Sequence, residues 1–97
     1  MRRIESILQD LIKIRTDDVI GSNEEIVKYI TEILDNNNVV FEKVVSANKK
    51  ENIVAVFNRD KLSNIEDALL LSGHMDTVGV NQKDWKINPF EGATEAL

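Results

Sequence analysis

His74 is the only histidine in the chain, and Asp76 follows two positions later in the stretch LLLSGHMDTV, residues 69–78. In extended backbone, residues i and i+2 project to the same face, so these two side chains can act together. Two chemistries fit the pairing. The carboxylate can accept the second ring N–H of the imidazole, which fixes the tautomer and leaves the other nitrogen free for a cation. Alternatively, it can orient the histidine as a general base. Taken alone the H-x-D spacing is a weak signal, and the default reading is a partly exposed histidine after a strand, with Asp76 capping a turn or a helix. The chain has no cysteine, so disulfides, thiolate metal sites and cysteine nucleophiles are excluded.

The elements that would position the pair follow from periodicity. Ile4, Ile7, Leu8, Leu11 and Ile12 recur at the spacing that places them on one stripe of a helix. A second helix is expected in SNEEIVKYITEIL, where Ile26, Val27, Ile30, Ile33 and Leu34 form the stripe. Ser22 and Glu25 fit a capping box at its start. Asn36, Asn37 and Asn38 predict its end, because asparagine tolerates left-handed backbone.

Three strands are expected next: VVFEKVV (39–45), NIVAVF (52–57) and ALLLS (68–72). The first two are close enough to form an antiparallel hairpin. The last two are nearly continuous apolar runs, the pattern of strands buried on both faces. Periodicity disappears after residue 79. The expected fold class is therefore α/β, with two N-terminal helices packed on a small mixed β-sheet. Residues 1–97 read as one domain without internal repeat or linker. His74 and Asp76 would then sit at the carboxyl end of the third strand, where α/β sheets form their ligand crevices.

The 97 residues, 42% hydrophobic and 30% charged, suit a single soluble core. A formal charge of −5 opposes a nucleic-acid partner. Glu5, Asp10 and Lys13 interrupt any signal-like apolar run near the N-terminus. No stretch reaches the roughly 20 apolar residues of a membrane span, so a cytoplasmic location is expected.

The wider window carries more. Gly73, His74, Asp76, Thr77 and Val78, followed by Trp85, Pro89 and Phe90, give an apolar strand, G-H-x-D-T-V and W-x-x-x-P-F in order. This resembles the N-terminal part of a zinc hydrolase family that includes acetylornithine deacetylase, succinyl-diaminopimelate desuccinylase, aminoacylase and related di- and tripeptidases. The resemblance extends over essentially the whole chain, and agreement of separate segments in order is stronger than any one motif. Two positions depart from the pattern: Gly79 replaces the usual proline, and Asn88 the usual aspartate before Pro89.

The resemblance implies that His74 binds one zinc of a two-zinc centre and that the catalytic-site residue Asp76 steadies and tunes it. It implies hydrolysis of amide bonds in N-acyl amino acids or short peptides. It also implies that the chain is the incomplete N-terminal part of a catalytic domain, without a lid or dimerisation domain. The bridging aspartate, the glutamate pair with the general base and the remaining ligands map to nothing here. A lone imidazole cannot hold zinc against water, so weak or no metal binding and no activity are expected of the chain by itself.

Other carboxylates have simpler readings. Glu24 and Glu25 fall in the first turn of a helix and favour its dipole, Asp17 and Asp18 read as turn residues, and Glu91 and Glu95 lie in the irregular tail. Trp85, Pro89 and Phe90 are expected to form a hydrophobic latch, and NKK at 48–50 a solvated hairpin tip. The rival function is a non-catalytic α/β module that binds a partner through an unpaired sheet edge. Self-association through the same edge is expected if apolar surface stays uncovered.

Overall fold

A computed structural model describes residues 4–17, 22–48, 50–61, 64, 66 and 68–93. Asp18, Lys49 and Glu95, each assigned a role above, lie outside the described residues. The element order is α1 (Ile4–Lys13), α2 (Glu24–Asn36), β1 (Val40–Val45) and β2 (Glu51–Val56), with short 3₁₀ turns at Arg59–Lys61 and Gln82–Asp84. The chain divides into two units, one comprising Met1–Ile26 and Asp76–Leu97 and the other Val27–Met75.

Both helices form where the apolar stripes place them. Ser22 Oγ accepts from the Glu24 amide at 3.3 Å, one residue short of the Glu25 amide that a capping box requires. The reason is that the helix starts at Glu24, so Ser22 sits one position ahead of the cap. The C-terminus closes as a Schellman motif. Asn38 takes φ 57°, its amide donates to Asp35 O at 3.1 Å, and the Val39 amide reaches back to Leu34 O at 2.9 Å. Asn37 Nδ2 donates to Ile33 O at 2.8 Å. Buried Thr31 is satisfied inside the helix, its hydroxyl donating to Val27 O at 2.8 Å.

In the second unit, β1 and β2 pair antiparallel with Phe41 opposite Ala55 and Lys43 opposite Ile53. The hairpin turn is held by Ser46, whose amide and hydroxyl both donate to Lys50 O, at 2.8 and 3.0 Å. Phe41, Ile53 and Ala55 are half-buried on one face, while Val40, Val44 and Val54 are exposed on the other. In the 52–57 run Ile53, Ala55 and Val56 are half-buried while Asn52, Val54 and Phe57 are exposed, so it is not covered on both faces as its composition predicts.

The largest difference from expectation concerns 68–72. These residues form no strand, so the expected small mixed sheet is a two-stranded antiparallel one. Leu69, Leu70 and Leu71 are 86%, 86% and 84% exposed. Ordering five residues into a strand costs about 5–10 kcal/mol of backbone entropy. Covering three leucines returns about 1.5–3 kcal/mol each, but only where something covers them. A single hairpin offers no such cover. The α1 stripe meets the same shortage: Ile4, Leu8 and Ile12 are exposed, and no residue of α1 is fully buried. Among the described residues, the fully buried apolar side chains are those of Ile26 and Val27 in α2.

Candidate functional site

His74 and Asp76 are both exposed and belong to irregular chain. The division between the two units falls after Met75, so His74 belongs to one unit and Asp76 opens the last segment of the other. Gly73 has open space around its α-carbon, as its neighbours' exposure requires. Among the described residues, no three His, Asp or Glu side chains gather where they could hold a metal ion. One imidazole and one carboxylate are too few donors for zinc, which takes three or four protein ligands.

The first unit holds a different constellation. Arg15 follows α1, and its guanidinium pairs with Asp17 at 2.5 Å. Asp17 is one of the most deeply buried residues described, at 2% exposure, whereas its spacing reads as an ordinary surface turn. The signal that could have revealed it is Arg15 two residues earlier, since a buried carboxylate needs a cation beside it. Asp17 Oδ1 and Arg15 Nε are buried without a hydrogen-bond partner among the described residues. Next to them, the hydroxyls of buried Thr16 and exposed Thr77 lie 3.4 Å apart, linking this turn to the residue after Asp76.

Arg15 also lies over the ring of Phe90, 4.2 Å from its centroid, a cation–π contact. Phe90 is held there by a turn whose chemistry is local. Asn88 Oδ1 accepts from the Phe90 amide at 3.0 Å, and the Asn88 carbonyl accepts from the Glu91 amide at 3.2 Å. With Pro89 at the second position this is the residue pattern of a β-turn. An aspartate at 88 would offer the same acceptor oxygen to this turn. Gly92, two residues beyond Phe90, takes φ +70° and packs onto the α1 backbone at Gln9.

These residues line an open cavity of about 320 Å³ whose walls include Ile12, Arg15, Val80, Trp85, Phe90 and Gly92. Trp85, Pro89 and Phe90 do share one apolar site, as a latch would. However, Trp85 is 50% exposed, so the cluster lines an open cavity and does not close over it. Trp85 follows a 3₁₀ turn capped by Asn81, whose side chain accepts from the Lys83 amide at 3.2 Å. Among the described residues no helix is long and apolar enough to cross a membrane.

Comparison of the chain with family models, with curated proteins and with solved structures finds no match.

Proposed function

We propose that this chain supplies the N-terminal portion of a zinc-dependent hydrolase that cleaves amide bonds of N-acyl amino acids or short peptides. The observation that carries the reading is the ordered pair of motifs, G-H-M-D-T-V at 73–78 and W-K-I-N-P-F at 85–90. Two physical features support it. The Asn88 turn keeps the side-chain acceptor that the second motif needs. The fully exposed leucines at 69–71 run directly into Gly73 and His74, and such a run is stable only when further structure covers it.

In this reading His74 is a zinc ligand and Asp76 the carboxylate that holds its imidazole in one tautomer. The two zinc ions of the complete site would activate a water and polarise the scissile carbonyl. The donors present here do not complete that site, so no catalytic step is assigned to this chain alone. A second reading, a non-catalytic module that adds a partner strand, is favoured by the exposed valines Val40, Val44 and Val54 on the hairpin.

The test uses the complete reading frame in which this sequence occurs, purified with zinc and assayed on N-acetyl amino acids and dipeptides. Zinc-dependent hydrolysis is expected, with loss of one bound zinc in His74→Ala and about 10–100-fold weaker zinc binding in Asp76→Ala. A reading frame without further metal ligands, or hydrolysis indifferent to His74→Ala, overturns the assignment. The 97-residue chain titrated with zinc by calorimetry should show no stoichiometric sub-micromolar site.

A further inference from the structure

We propose that the cavity beside Arg15 binds a small uncharged molecule that carries one aromatic ring and one carbonyl oxygen. The inference is independent of the metal reading, because neither His74 nor Asp76 lines this cavity. Its volume of about 320 Å³ lies at the lower end of the range for small-molecule sites, which leaves room for an aromatic ring together with a polar substituent. The walls supply ring-sized apolar contacts from Trp85, Val80, Ile87 and Phe90. Trp85 and Ile87 remain 50% and 39% exposed, so a ligand would remove apolar surface that the chain itself leaves in water.

Arg15 decides the polar part. It is the charged residue of the lining, and 37% of its side chain is open. A guanidinium carries several N–H donors and no acceptor. One nitrogen is engaged by Asp17, and Nε is buried, which leaves the open part of the guanidinium to meet an acceptor. The paired carboxylate of Asp17 cancels the local charge. An anionic ligand would therefore lose its hydration without meeting a net positive site, whereas a carbonyl gives up less and still accepts the hydrogen bond.

Trp85 is the only tryptophan in the sequence and lines the cavity, so its fluorescence reports occupancy directly. The 97-residue chain is titrated with benzamide, sodium benzoate and benzylamine. Benzamide should change the emission saturably, with half-saturation at about 1–10 mM. Benzylamine, which has a ring and a cation but no carbonyl, should bind at least about tenfold more weakly. Benzoate should also bind more weakly than benzamide. Arg15→Met should weaken benzamide about tenfold. Because that change strands the buried Asp17 carboxylate and can unfold the unit, Ile87→Phe provides a second variant that fills the cavity and leaves the ion pair in place. With wild-type circular dichroism, Ile87→Phe should abolish the benzamide response. No saturable response to benzamide overturns the site, and a response that survives Ile87→Phe overturns its location. Benzoate or benzylamine binding as well as benzamide overturns the assigned ligand class.

Discussion

Replacing Gly92 with alanine should destabilise the first unit severely, by two mechanisms that add. Gly92 holds φ +70°, a left-handed conformation that costs an L-residue about 1–2 kcal/mol. A Cβ there would also stand 2.8 Å from the Gln9 carbonyl oxygen and 3.2 Å from Gln9 Cα. Both atoms are backbone in the interior of α1, where carbonyls are held in the helical ladder, so neither can swing aside as a side-chain tip would. Overpacking of this kind costs about 1–3 kcal/mol. Together the two terms give about 2–5 kcal/mol, against a typical total domain stability of about 5–15 kcal/mol.

The assay is urea unfolding followed by Trp85 fluorescence, since Trp85 and Gly92 line the same cavity. With a urea dependence of about 1–2 kcal/mol per molar for so short a chain, the midpoint should fall by at least about 1 M. Gly79→Ala is the internal control, because a Cβ there meets nothing within 4 Å, and it should stay within about 0.5 kcal/mol of wild type. If Gly92→Ala and Gly79→Ala unfold at the same midpoint, the packing of residue 92 onto α1 is wrong.

Two further substitutions probe the second unit. Asn38→Gly should raise stability by a few tenths to about 1 kcal/mol, because glycine takes the left-handed position of the Schellman cap without a Cβ penalty. Asn38→Val should lower it by at least about 1–2 kcal/mol, both read by thermal melts of the α-helical circular dichroism signal. Replacing Leu69, Leu70 and Leu71 together with serine should leave the unfolding free energy of the 97-residue chain within about 0.5 kcal/mol and reduce binding of an apolar dye. A loss of several kcal/mol would instead mean that these leucines are covered.

What was legible in the sequence follows a physical division. Short-range rules carried the helices, the hairpin and the turn that ends α2, because the stripe in α1, the asparagines at 36–38 and the short loop between the strands act through neighbours a few residues away, whereas the expected Ser22–Glu25 capping box is displaced by one residue. The burial of Asp17 was only hinted at in the sequence: Arg15 two residues earlier supplies the cation a buried carboxylate needs, but that spacing does not by itself fix the burial. Gly92 was silent: its left-handed backbone is required by contact with Gln9, more than 80 positions earlier. The cavity wall formed by Trp85 and Phe90 was half legible. Their types and spacing announced an apolar cluster, but whether that cluster closes depends on what packs against it.

The leucines at 69–71 show why composition alone misplaces a strand. A run of apolar residues states a demand for burial, and periodicity tests cannot tell whether the demand is met. In α2 it is met for Ile26 and Val27, which are almost fully buried. At 69–71 the same hydrophobicity stays in water, at a cost of about 1.5–3 kcal/mol per leucine relative to burial. That unrealised energy is as large as the net stability of many small domains, so any structure able to cover these leucines would gain from doing so. Among the described residues, 69–71 therefore stand to gain from any surface that covers them. If His74 is the zinc ligand proposed above, its metal affinity should rise together with burial of the leucines that precede it.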